Sequence, residues 1–155
     1  MKNFLKINDS ETNKKIQKRI KDVISHGQFI LGPEIEDLEK KLAKFTNSKY
    51  CLTVSSGTDA LLISLMALGI NKGDEIITSP FSWISSVETI ASLGAKVVFV
   101  DINSKTYNID EDKISKSITN KTKAIMAVSI FGQCPDMDKI NRISKIHKIP
   151  VIEDA

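Results

Sequence analysis

The sequence predicts an α/β fold, a mostly parallel sheet with helices on both faces, entered through a helical segment. Three observations carry that prediction. From residue 50 onward, short apolar runs alternate with stretches of helical periodicity. The runs are apolar throughout instead of at every second residue, as in strands buried on both faces. Gly69 and Gly94 fall just past two helical stretches, where a left-handed residue ends a helix.

The elements follow in order. Ile16, Ile20, Val23 and Ile24 form one stripe of an amphipathic helix that Gly27 stops. Pro33 suits the first turn of a second helix, striped by Ile35, Leu38, Leu42 and Phe45. A strand is expected over Tyr50–Val54, a helix over Thr58–Leu68, a strand over Glu75–Thr78 and a helix over Trp83–Leu93. Next come a strand over Lys96–Val100, a helix over Glu111–Ile118 capped by Asp110, and a strand over Lys123–Val128. A helix over Met137–Ile146 and a strand over Pro150–Glu153 complete the alternation. The division expected is residues 1–48 as an N-terminal helical segment and 49–155 as an α/β domain. Because the chain stops at Ala155, straight after a strand, that domain is expected to be incomplete.

Composition narrows the function. Of 155 residues, 41% are hydrophobic and 26% charged, which fits a globular domain and excludes disorder as the main description. The net charge of +3 comes from scattered lysines, since Arg19 and Arg142 are the only arginines. Nucleic-acid readers lean on arginine forks, so no nucleic-acid partner is expected. No apolar run approaches the roughly 18 residues of a membrane span. Met1–Lys6 lacks the apolar core of a secretory signal, so neither membrane nor export is expected. Cys51 and Cys134 lack metal-ligand spacing and read as reduced thiols of a cytoplasmic protein. No metal site is expected.

In a parallel sheet, ligands bind beyond the carboxyl ends of the strands. That rim would gather Ser55–Thr58, Ser79–Trp83, Asp101, Phe131–Gln133 and Asp154. Ser55-Ser56-Gly57-Thr58-Asp59 joins hydroxyls, a glycine and a helix N-terminus. That combination suits a phosphate, and it also suits plain helix capping. Neither G-x-G-x-x-G nor G-x-x-x-x-G-K-[ST] occurs, which weakens dinucleotide and Walker-type readings. Trp83, the only Trp, could stack on a flat ring or simply start a helix half-buried. Asp154 could pair with a metal or a protonated ring nitrogen, or cap a following helix.

Together these segments resemble the DegT/StrS family of sugar-nucleotide aminotransferases, pyridoxal 5'-phosphate (PLP) enzymes of fold type I. The resemblance rests on Gln28–Glu34, Val54–Leu61, Ser79–Trp83, Val98–Asp101, Phe131–Gln133 with Asp136–Asp138, and Val151–Ala155, in that order and spacing. It implies that residues 49–155 are the front of a PLP-binding large domain, truncated here. It further implies that Ser56, Gly57, Thr58 and Asp59 hold the cofactor phosphate, that Trp83 stacks on the pyridine ring, and that Asp154 pairs with its nitrogen. No catalytic residue is expected within the chain, because the family's Schiff-base lysine would lie beyond residue 155.

The full-length activity implied is transfer of an amino group, from glutamate as donor, to a nucleotide-linked keto sugar, in amino-sugar and polysaccharide biosynthesis. A homodimer is implied, with the N-terminal helices and Phe29–Glu34 as contributors, and the 155-residue piece alone would be inactive. Three alternatives stay open: a PLP-dependent sugar dehydratase with His in place of Lys, a non-catalytic truncated relative, and a nucleotide-binding α/β domain.

Overall fold

A computed structural model describes residues 10–155. Met1–Lys6, where the sequence carries no secretory core, lies outside the described residues. The chain divides into two compact units, the first ending at Thr53 and the second running from Val54 to Ala155.

The first unit holds two amphipathic helices, α1 (Ser10–His26) and α2 (Pro33–Thr46). Gly27, at a φ of 70°, ends α1, and Pro33 opens α2, as their sequence positions predict. Gly32 is required between them, because a Cβ there would lie 2.5 Å from the Gln28 carbonyl oxygen. His26 Nε2 meets Glu34 Oε1 at 3.1 Å across the turn. The strand expected over Tyr50–Val54 does not form. These residues run as irregular chain, and the Thr53 N–H donates to Glu39 Oε1 at 2.8 Å. Leu52 is 72% exposed, and among the described residues no strand lies beside this segment to pair with it.

The second unit is a four-stranded parallel sheet. Its elements are α3 (Gly57–Ala67), β1 (Glu75–Thr78), α4 (Ser85–Ser92), β2 (Lys96–Phe99), α5 (Glu111–Ser117), β3 (Thr122–Val128), α6 (Met137–His147) and β4 (Val151–Asp154). The strand order is β2-β1-β3-β4. In register, Ile77 faces Ile125 and Val128 faces Asp154. Helix α4 begins two residues later than the sequence suggests, at Ser85, so Trp83 stays in the loop.

Strand alternation sends side chains to two cores. On one face Ile76, Ala124 and Met126 meet Leu61 and Leu65 of α3 and Ile90 of α4, with Ile152 packed against them. On the other, Ile77, Ile125 and Ala127 meet Ile114 of α5 and Ile140 and Ile143 of α6. This two-sided burial explains the unbroken apolar runs in the sequence. Each fully buried Ile contributes about 1.5–3 kcal/mol, enough to offset the buried, unpartnered hydroxyl of Thr78, which costs about 1–3 kcal/mol. The connections β1–α4–β2 and β3–α6–β4 leave on opposite faces. The strand order therefore reverses between β1 and β3, and a crevice opens at their carboxyl ends. No helix among the described residues is long and apolar enough to cross a membrane.

Glu75 anchors the opposite end of the sheet. Thr119 Oγ1 donates to its Oε2 at 2.6 Å, and Lys96 Nζ lies 3.0 Å from its Oε1. The Thr119 hydroxyl first, then Lys96, holds the carboxyl below its usual range. The folded state therefore binds this proton less readily than the unfolded chain. Its stabilisation is complete above the unfolded pKa and is lost as pH falls through the lower folded value. Urea titrations between about pH 6 and pH 3 should show Glu75→Gln losing less stability on acidification than the parent. Equal losses in both proteins would contradict this role.

Candidate functional site

Local sequence builds the site. At the start of α3, Ser56 is the N-cap, and its Oγ accepts from the Asp59 N–H at 3.1 Å. The Asp59 carboxylate accepts in return from the hydroxyls of Ser56, at 2.9 Å, and Ser55. Ser55 first and Ser56 second hold the Asp59 carboxyl below its ordinary pKa. Ala60 N–H is taken by the Ser56 carbonyl at 3.0 Å. The first-turn N–H groups left for a ligand are those of Gly57 and Thr58, at the positive end of the helix dipole. A Cβ at Gly57 would meet nothing within 4 Å, so the space over this turn is open.

Beyond the carboxyl ends of the strands lies a cleft of about 380 Å³, within the usual range of small-ligand sites. Gly57, Thr58, Ser82, Trp83, Phe131 and Asp154 are among its lining. Trp83 is 78% exposed, an unusual state for a large aromatic unless something covers it. Asp154 ends β4, and its Oδ2 accepts from Ser86 Oγ at 2.8 Å. Strand alternation puts Asp154 on the same face as Ile152, the face covered by α3 and α4.

Of the residues singled out in the sequence, Gly57, Thr58, Trp83 and Asp154 line one cleft. Ser56 and Asp59 are engaged with each other beside it and shape the turn. Asp101 does not line this cleft. Its carboxylate instead caps its own loop, accepting from the Ile102 N–H at 2.8 Å. Cys134 Sγ faces Glu153 Oε1 at 3.6 Å. Both cysteines are free, and no group of His, Cys, Asp and Glu among the described residues could hold a metal ion.

Sequence reasoning missed Ser86, fully buried behind Asp154. No local signal in the sequence marks it, because its partner lies 68 residues away on β4.

The donor set fits a phosphate-bearing, cationic aromatic group. Two free N–H groups and the Thr58 hydroxyl would suit the anion, an exposed indole the ring, and a carboxylate a protonated nitrogen.

Known proteins share this arrangement of sequence and fold. The chain is 50% identical over 151 residues to UDP-2-acetamido-2-deoxy-3-oxo-D-glucuronate aminotransferase of Pseudomonas aeruginosa, covering 97% of this chain and 42% of that protein. It superposes with a TM-score of 0.90 and 38% identity on NtdA from Bacillus subtilis, solved with bound cofactor PMP, covering 95% of this chain and 34% of that one. An E. coli GDP-4-keto-6-deoxy-D-mannose-3-dehydratase, solved with hydrated PLP, superposes at 0.82 and 35% identity, covering 90% and 37%. The chain thus spans about two fifths of the length of its curated relative. Residues 10–155 match the DegT/DnrJ/EryC1/StrS aminotransferase family, and the chain belongs to it.

Proposed function

We propose that this chain is the N-terminal part of a PLP-dependent aminotransferase that moves an amino group, from glutamate, to a nucleotide-linked keto sugar in amino-sugar and surface-polysaccharide biosynthesis. The observation that carries it is the convergence of a phosphate-ready helix terminus, an exposed Trp and a strand-end Asp in one cleft. The keto-sugar substrate class is supported by the named activity of the Pseudomonas relative.

When bound, PLP supplies an electron sink that stabilises negative charge on the substrate carbon. Gly57 and Thr58 bind the phosphate through backbone N–H groups and the Thr58 hydroxyl. Ser56 and Asp59 hold that turn in shape, since an ionised carboxylate has no proton to give a phosphate. Trp83 covers one face of the ring and keeps water from it. Asp154 keeps a proton on the ring nitrogen.

The covalent lysine belongs to sequence beyond residue 155, so the chain alone is inactive. Supporting this, no lysine among the described residues lines the cleft. Lys72, Lys96, Lys123 and Lys148 lie at or before the amino ends of the strands, and Lys105 lies in the loop after β2. The division proposed at residue 48 separates the N-terminal helical part from residues 49–155, part of the cofactor-binding domain of a cytoplasmic homodimer. The free thiols of Cys51 and Cys134 support the compartment.

The test is product analysis by mass spectrometry. The full-length protein, given PLP, glutamate and a UDP-linked 3-keto sugar, should yield an amino sugar and 2-oxoglutarate, and the 155-residue chain should yield neither. A deoxy sugar formed by loss of water would identify the dehydratase instead. Unchanged substrate across UDP-, dTDP- and GDP-linked keto sugars would overturn the enzyme reading.

A further inference from the structure

We propose that Ser86 is the positioning residue for Asp154, fixing the carboxylate so that Oδ1 faces the cofactor nitrogen. This rests on the reading that Asp154 pairs with that nitrogen. Asp154 is the last residue of β4, an outer strand of the described sheet that pairs only with β3. The backbone therefore fixes where Asp154 stands but leaves two side-chain torsions to be set. Ser86 sets them. Its hydroxyl, fully buried on α4, donates to Oδ2 at 2.8 Å across 68 residues of sequence.

The link has a direction. An ionised carboxylate only accepts, so Ser86 must donate its one proton to Asp154. Its oxygen can then accept from Ser82, whose Oγ lies 3.3 Å away. The order Ser82 to Ser86 to Asp154 polarises each hydroxyl toward the acid. No hydrogen bond to Oδ1 occurs among the described residues, so one oxygen is committed to the protein and the other to the ligand. Ser82 directly precedes Trp83, so the same chain ties the acid to the loop that carries the stacking aromatic.

A packing role alone does not account for a serine here. Ser86 sits one turn before the buried Ile90 on the inner face of α4, where an alanine would bury as well and favour the helix more.

The experiment uses the full-length protein with Ser86→Ala, Ser86→Thr and Ser86→Val. PLP affinity is read by titration of the cofactor-free protein, and the absorbance of bound cofactor is followed against pH. Ser86→Ala and Ser86→Val should weaken PLP binding about tenfold and move the midpoint of the pH titration. Ser86→Thr should keep both within about twofold of the parent, because it retains the donor. Thr and Val match in size, so that pair isolates the hydroxyl even where Ala disturbs folding. Affinity and titration unchanged in Ser86→Val relative to Ser86→Thr would overturn the proposal. A parent protein that binds no PLP would instead defeat the cofactor reading on which it rests.

Discussion

Asp154→Asn in the full-length protein is expected to lower the rate of amino transfer about 10²–10³-fold while leaving the fold intact. Asn has the same shape, and its carbonyl oxygen can still accept from Ser86, so the 2.8 Å contact survives. What is lost is charge. At an effective dielectric near 20, opposite unit charges about 4 Å apart attract by about 4 kcal/mol, and that attraction favours the proton on the ring nitrogen. Each 1.36 kcal/mol is about tenfold in rate, so most of this term would appear in the rate. Steady-state kinetics of parent and variant, with thermal unfolding as control, measure it. A loss below tenfold would remove Asp154 from the chemistry.

Gly57→Ala should separate fold from function in the opposite way. Nothing lies within 4 Å of the added Cβ, and Gly57 does not occupy the left-handed region, so the chain itself makes no demand for glycine. Alanine is the better helix former by up to about 1 kcal/mol, and the thermal midpoint should hold or rise. PLP affinity should fall about tenfold or more, because the methyl enters space at the helix terminus where the phosphate must approach. Gly32 shows the contrasting case, in which the Gln28 carbonyl at 2.5 Å forbids a side chain within the protein itself. Isothermal titration with PLP checks the prediction. Parent-like affinity in Gly57→Ala would seat the phosphate elsewhere.

Much of this was legible in the sequence because the relevant forces are local or periodic. The runs Glu75–Thr78 and Lys123–Val128 announced strands buried on both faces, and Gly69 and Gly94 marked the ends of α3 and α4. Trp83 and Asp154 could be placed on one rim because parallel strands share a carboxyl end, and Gly57 and Thr58 reach the same rim although the strand expected before them does not form.

What stayed hidden depends on tertiary pairing. Tyr50–Val54 has strand-forming residues, but strand formation needs a neighbour, and the Thr53 N–H found Glu39 instead. Ser86 is one of several serines in its helix. Only the packing of α4 against the sheet shows that it faces Asp154, 68 residues away. The reciprocal bonds of Ser56 and Asp59 were likewise invisible until the turn was built.

The central claim is that Asp154 holds a proton on the ring nitrogen of a cofactor seated in this cleft. Nitrogen NMR of PLP isotopically labelled at the ring nitrogen, bound to the full-length protein and to Asp154→Asn, tests it most directly. The account predicts a protonated-ring shift in the parent and a neutral-ring shift in the variant, with both proteins saturated. The same shift in both, whether protonated or neutral, would contradict it.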